Sequence, residues 1–403
     1  MTDTPEDAEY RARARAWLAE HAAQYRGAPD LDDDAMVGHS KAYTRAKWDA
    51  GYSGIDVPKS AGGAGGTARQ ARIFDEEEAA YNVPRTTASH LALAGLMKHG
   101  TPEQIARWGK VHWSGEGRWT QLFSEPSAGS DLAGLRTRAV RQGDNWIING
   151  QKVWSSWAQW SDFGFLIART DGSVPKHKGL SFFFIDMRQP GIEVRPIRQM
   201  TGAADFNEVF FTDAVVPHAD MIGPEGKGWE VAMTVLSAER AGAGTAGSGE
   251  GRMSPVATPN LLRVAQGARR EGGKTALDSA EVRRKIAHWY AEEQGVKHFA
   301  RRIAEMVAAG AMPPASMPGM KIVSASRNQQ AYAWLMDMEE YSGIVQDADW
   351  PEEDKYYAYL YAPIWRIAGG SDEILRNQIS ERALGMPSDI RLDKDVPFDQ
   401  LPF

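Results

Sequence analysis

The stretch that most constrains this chain runs from Gln121 to Trp157. A serine- and glycine-rich loop, QLFSEPSAGSDLAGL, is followed there by WIINGQKVWSSW. Pro126 and Gly129 bar a regular helix through the first part. The loop therefore keeps backbone N–H groups that neither a helix nor a ladder consumes, and such donors receive a polar, flat or phosphorylated ligand. Ser124, Ser127 and Ser130 add hydroxyls beside two carboxylates, Glu125 and Asp131. The second part alternates, and Asn149-Gly150 predicts the turn of a β-hairpin between Trp146–Ile148 and Lys152–Trp154. A donor-rich loop leading to Trp154-Ser155-Ser156 has the parts of a flavin site. An apolar ring can cover the isoalloxazine, and hydroxyls can reach its polar edge.

The rest of the chain frames this stretch with helices. At 403 residues it has ample length for a large core and for two or three domains or lobes. Its 42% hydrophobic and 25% charged residues match a soluble globular protein, which sets disorder aside. A net charge of −7 gives no basic footprint for nucleic acid. No cysteine is present, so disulfides, thiol nucleophiles and Cys-ligated metals are excluded, and a reducing cytoplasm fits. The acidic start, MTDTPEDAEY, does not read as a signal or transit peptide. The most apolar run, Leu180 to Ile185, is too short to span a bilayer, so no membrane insertion is expected.

Up to about residue 120 the patterning is helical. Glu6 to Tyr25 is amphipathic, Thr67 to Ala80 follows two glycine pairs, and Thr101-Pro102-Glu103-Gln104 is a helix start with a capping box. His90 and His99 read as structural or solvent-facing rather than catalytic, since no carboxylate partner can be named for either. From Thr120 to about Ile222 the period becomes two. Phe163 to Ala168, Leu180 to Asp186, Ile192 to Pro196 and Glu208 to Thr212 read as strands. Lys176, Lys178, Arg188, Arg195 and Arg198 form a local basic group, either a solvated face or a contact for a ligand's phosphates. Helical patterning returns at Gly226 to Arg240. The glycine-rich AGAGTAGSGEG then reads as a flexible insert or link. Long helices follow, striped by Val282, Ile286, Tyr290, Phe299, Ile303 and Met306 and then by Met320 to Met338; Asp354 to Ile367 and Asp372 to Leu384 complete the series. The fold class is thus α+β multidomain: an N-terminal all-α lobe (1–120), a central small β-barrel or sandwich (121–224) and a C-terminal α-helical bundle (225–403).

SEPSAGSD followed by W-x-I-N-G-x-K-x-W-x-S resembles the flavin segment of the acyl-CoA dehydrogenase family. GIEVRPIRQMTG, DFNEVFFTDAVVP and the closing GGSDEILRNQISERALGMP match further along, so the resemblance covers nearly the whole chain. It implies FAD as cofactor and α,β-dehydrogenation of an acyl-CoA thioester, in which a carboxylate removes the α-proton and the β-hydride goes to the flavin. By position, Leu122, Phe123, Ser124 and Ser130, then Trp154, Ser155 and Ser156, and finally Ser371, Asp372 and Glu373 would hold FAD. Ser130, Arg240, Gly369 and Gly370 would meet the substrate. The segment that usually reaches a neighbouring subunit's FAD survives only as Tyr341-Ser342-Gly343, and Arg270 is chosen as the arginine near the cofactor phosphates. No metal ligand set is expected.

The catalytic base departs from the commonest pattern. Most members carry glutamate just before the glycine of the C-terminal segment, where this chain has Gly369. Relatives resembling isovaleryl-CoA and long-chain acyl-CoA dehydrogenases place it on a C-terminal-domain helix before an arginine, and Glu239-Arg240 stands there. Glu239 is therefore the expected base. The resemblance further implies a homo-oligomer, with a tetramer expected, and an electron-transfer flavoprotein as electron acceptor. Two other functions share the fold: a non-catalytic partner subunit of a heteromeric dehydrogenase, and a flavin monooxygenase or oxidase.

Overall fold

The computed structural model describes residues 3–25, 33–81, 83, 89–243, 256–308, 311, 314–338 and 355–402. These fall into two compact units. One comprises Met1–Gln199, Ala204–Ala238 and Arg391–Phe403; the other comprises Met200–Ala203 and Glu239–Ile390.

The first unit opens with helices α1 (Pro5–His21), α2 (Asp33–Asp49), α3 (Ala68–Glu78), α4 (Ser89–His99) and α5 (Pro102–Trp113). Threonine capping boxes start three of them, Thr4 with Asp7, Thr67 with Gln70 and Thr101 with Gln104, each satisfying helix-end donors that would otherwise lack partners. α1, α2 and α3 bury Ala14, Leu18, Tyr43 and Phe74 against one another. His99 hydrogen-bonds Thr234 at 2.8 Å, which fits its structural reading.

Seven strands follow: β1 (Trp119–Leu122), β2 (Arg138–Gln142), β3 (Asn145–Ser156), β4 (Phe163–Arg169), β5 (Leu180–Asp186), β6 (Ile192–Ile197) and β7 (Phe206–Pro217). They form one sheet in the order β1-β4-β2-β3-β7-β6, with β5 on the other edge of β4. One face of it buries Trp146, Ile148, Leu166, Phe183, Val209 and Val216. Trp119, Phe165, Phe182 and Phe184 pack with Leu96 of α4, Trp108 of α5 and Val231 and Val235 of α6 (Gly228–Ala243). β4 and β5 are buried along almost their whole length because apolar side chains are covered on both faces.

The expected Asn149-Gly150 turn is not a turn. β3 runs straight through it, and the hairpin to β2 closes at Gly143-Asp144, between the paired Gln142 and Asn145. Asn149 instead faces a bulge in β7, whose extra residue lies between Phe211 and Ala214 where the register shifts between Ile148 and Gly150, with Asp213 left-handed at φ 53°. Asn149 and Asp213 exchange side-chain and backbone hydrogen bonds across it at 2.9 and 3.0 Å. Glycine is required because a Cβ at 150 would lie 2.7 Å from Thr137 Cα.

The final residues return to the first unit. Phe398 N–H donates to Val174 O at 2.9 Å and Asp399 N–H to Gly172 O at 3.0 Å. Lys176 bridges Asp131 and Asp393, Arg188 pairs with Asp186, and Arg195 with Glu193. Three of the five basic residues in that group are thus neutralised within the chain.

The second unit holds α7 (Thr258–Gly267), α8 (Ala280–Ala308), α9 (Gly319–Met338), α10 (Lys355–Tyr361) and α11 (Asp372–Arg382). Its core gathers Leu261, Ile286, Trp289, Ala331, Leu335 and Met338. Tyr290, expected on the apolar stripe, is 51% exposed, while Trp289 is buried. Both residues lie within about one turn of Ile286, but the inner face extends on the Trp289 side of it, and Tyr290, about 100° further round, falls outside. The first three residues of the glycine-rich insert, Ala241-Gly242-Ala243, end α6, and 244–251 lie outside the described residues, as do Tyr341-Ser342-Gly343.

Candidate functional site

The loop after β1 is built on a buried ion pair. Glu125 and Ala128 exchange backbone hydrogen bonds at 3.0 Å in both directions, closing a tight turn over Pro126-Ser127. The Glu125 carboxylate turns inward and accepts from Arg136 N at 2.6 Å, Thr137 N at 2.9 Å and Lys152 Nζ at 2.9 Å. Lys152 is fully buried, and its ammonium also donates to Phe123 O at 2.9 Å. Burial alone would raise the Glu125 carboxyl, but Lys152 and the hydrogen bonds from Thr137 and Arg136 outweigh it and hold the group below the usual range. Val153 N–H reaches Ser124 O at 2.9 Å, stitching the loop to β3. Among the described residues, the N–H groups of Ser124, Gly129 and Ser130 have no protein acceptor.

Beside this loop β3 itself bulges, between Lys152 and Ser155. The bulge carries Trp154 at φ 61° and leaves its indole 60% exposed. Trp157 is also left-handed, at φ 53°, and its N–H donates to Asp205 O at 2.7 Å. Such φ values are costly for bulky residues and are held only where the surroundings over-determine them. Buried Asn207 does so here, donating to Ser155 O at 3.0 Å and hydrogen-bonding Gln159. The buried Ser155 Oγ has no hydrogen-bond partner among the described residues.

In the second unit a glycine turn precedes α11. Gly369 and Gly370 are both left-handed, at φ 66° and 93°. Neither N–H has a protein acceptor among the described residues. A Cβ built at Gly369 would sit 3.6 Å from Glu239 Oε1. The carboxylate of the α6 glutamate thus ends where a side chain at 369 would begin. A Cβ there would make an ordinary van der Waals contact, so what opposes glutamate at 369 is the left-handed backbone. Ser371 caps α11, its hydroxyl accepting from Ile374 N at 3.4 Å. Asp372 is buried and paired with Arg366, with Lys321 Nζ 3.6 Å away. Lys321 also donates to Gly370 O at 2.8 Å. Glu373 is exposed in the first helical turn.

Several expected contacts are spent on the protein itself. The side chains of Leu122 and Phe123 are in the core, so only their backbone can face a ligand. Ser371 and Asp372 brace the turn with their side chains. Arg270 donates to Met338 O at the end of α9, whereas the neighbouring Arg269 is exposed. The side chain of Arg240 lies outside the described residues. Sequence reasoning missed Lys152, Asn207 and Lys321 as supports. Only Lys152 carried a signal, since it keeps the even-numbered parity of Trp146 and Ile148, which face inward.

The first unit thus offers a donor-rich loop and a raised tryptophan, and the second a glycine turn and a carboxylate. The comparisons with known proteins supply the class. Models of the acyl-CoA dehydrogenase N-terminal, middle and C-terminal domains match residues 4–116, 120–214 and 226–384. The chain belongs to the acyl-CoA dehydrogenase family, whose cofactor is FAD. It is 32% identical to acyl-CoA dehydrogenase IpdE1 of Mycolicibacterium smegmatis over 95% of this chain and 98% of that one. It is 38% identical to acyl-CoA dehydrogenase FadE34 of Mycobacterium tuberculosis over 81% of this chain but only 43% of that protein, so the match spans less than half of FadE34. The ChsE4-ChsE5 complex from Mycobacterium tuberculosis has a chain similar in structure, with TM-score 0.77 and 26% identity over 96% of this chain and 100% of that one. The residues here fit FAD: uncommitted N–H groups at Ser124, Gly129 and Ser130, an exposed ring at Trp154, and an orphaned hydroxyl at Ser155. No described helix is long and apolar enough to cross a membrane.

Proposed function

We propose that this chain is the base-carrying subunit of an FAD-dependent acyl-CoA dehydrogenase that converts an acyl-CoA thioester to its trans-2-enoyl product. The observation that carries this reading is the meeting of Glu239 with the glycine turn. Its carboxylate lies 3.6 Å from the point where the Cβ of residue 369 would stand, beside an uncommitted Gly369 N–H. Glu239 takes the α-proton, and the Gly369 N–H donates to the thioester oxygen as enolate charge develops there. When bound, FAD supplies the acceptor for the β-hydride. Ser124, Ser130, Trp154 and Ser156 bind and orient that cofactor, with Ser130 also touching the CoA arm. Arg269 is better disposed than Arg270 to meet an anionic ligand, because the Arg270 guanidinium already caps α9.

Electrons leave to an electron-transfer flavoprotein, and the working form is an oligomer. A homotetramer is the reading from sequence; the ChsE4-ChsE5 complex makes a heteromer the alternative. Glu239 argues against a purely structural partner role for this chain, and against an oxidase that needs no base. The test is anaerobic titration of the purified yellow protein with straight, branched and ring-bearing acyl-CoAs. Bleaching by at least one thioester is expected. A colourless protein, or a yellow one that no thioester bleaches, overturns the reading.

A further inference from the structure

We infer that Lys321, on α9, is a positioning residue that holds the Gly369-Gly370 turn in the conformation presenting the Gly369 N–H beside Glu239. This rests on the dehydrogenase reading above and adds to it the element that sets the donor.

Two consecutive glycines have no intrinsic preference for the left-handed region, because without Cβ atoms both signs of φ are open to them. Something outside the turn must select φ 66° and 93°. One restraint lies downstream, where Ser371 caps α11 and Asp372 is tied to Arg366. Arg366 is itself steadied by Gln329, whose Oε1 accepts from its Nη1 at 3.1 Å. These contacts fix the start of α11 but touch neither glycine. The direct restraint on the glycines is the hydrogen bond from Lys321 Nζ to Gly370 O at 2.8 Å. A carbonyl held in place fixes the peptide plane between Gly370 and Ser371, and with it the ψ of Gly370.

Lys321 itself has little freedom. Its side chain is 14% exposed, and the nearly buried Asp372 lies 3.6 Å from its ammonium. The lysine touches no reacting group. Its effect reaches the substrate only through the glycine turn.

The test uses the full-length, FAD-loaded protein and the variants Lys321→Met and Lys321→Arg. The probes are a saturated acyl-CoA thioester that bleaches the wild type and the matching alkyl-CoA thioether, which lacks the carbonyl oxygen. Lys321→Met is expected to keep its FAD and to bind the thioether within about twofold of wild type, while its bleaching rate at saturating thioester falls about tenfold or more. Lys321→Arg, which can still donate to Gly370 O, should recover part of that rate. Bleaching by Lys321→Met within twofold of wild type overturns the inference, as does an equal loss of thioether and thioester binding. A wild-type protein that no thioester bleaches sinks the dehydrogenase reading, and this inference with it. The two failures are therefore distinguishable.

Discussion

The loop after β1 and the glycine turn before α11 solve the same problem with different margins. Each leaves backbone N–H groups uncommitted, and each is braced from behind by a lysine that reaches both a carbonyl and a carboxylate of the segment it supports. Lys152 holds Phe123 O and Glu125, both at 2.9 Å; Lys321 holds Gly370 O at 2.8 Å and lies 3.6 Å from Asp372. Among the described residues, Lys152 is the only cation in a salt bridge with Glu125, and the pair is buried. Asp372 has a second cation, Arg366. The first brace is therefore part of the fold, while the second can be weakened and leave the fold standing. A turn that must present a donor to a reacting group is adjustable here, and a loop that must hold a cofactor is not.

The largest expected effect follows from that difference. Lys152→Met strands a buried carboxylate and should cost roughly 3–5 kcal/mol in denaturant unfolding, with loss of FAD. Adding Glu125→Gln should recover part of that loss, because it removes the stranded charge, although its single amide oxygen can replace only one of the two carboxylate oxygens that accept from Arg136 N and Thr137 N. Lys321→Met should cost only about 1 kcal/mol, the net value of one hydrogen bond. Equal losses in the two lysine variants would erase the distinction.

A smaller effect concerns acid. The folded Glu125 carboxyl is held below its ordinary 4.5, so its stabilisation is fully present above that pH and is lost as pH falls through the lower folded value. The wild type should therefore lose more stability between pH 5 and strongly acid solution than the Glu125→Gln/Lys152→Met double variant. Parallel pH profiles would contradict the role given to the pair. The smallest effect is at Trp154. Trp154→Gly removes a left-handed tryptophan whose strain is worth about 1–2 kcal/mol, so the melting temperature should stay level or rise while FAD affinity falls. A drop in both would mean that the indole is packing rather than cover.

Much of this was legible in the residues. The loop and strand motifs marked the segment proposed for the cofactor, the Thr101 capping box marked the start of α5, and the empty position at Gly369 pointed to Glu239. The Asn149-Gly150 reading failed because the same dipeptide serves inside a strand: Asn149 pairs with the bulged Asp213 of β7, and Gly150 lets Thr137 approach closely. β2 escaped notice because Arg138 to Gln142 is mostly exposed and polar, and its pairing with β3 supplies what its composition does not. Lys321 and Asn207 could not be read at all. Each acts on a residue about fifty positions away, and nothing local distinguishes them from ordinary surface polar groups.

The central claim is that the base stands on α6 and not in the glycine turn. Glu239→Gln is nearly isosteric and should keep the fold, the FAD and the affinity for acyl-CoA. Stopped-flow measurement of anaerobic flavin bleaching is expected to show a loss of ~10²-fold or more, the usual scale for removing a general base. Bleaching as fast as wild type would place the proton abstraction elsewhere and contradict the account.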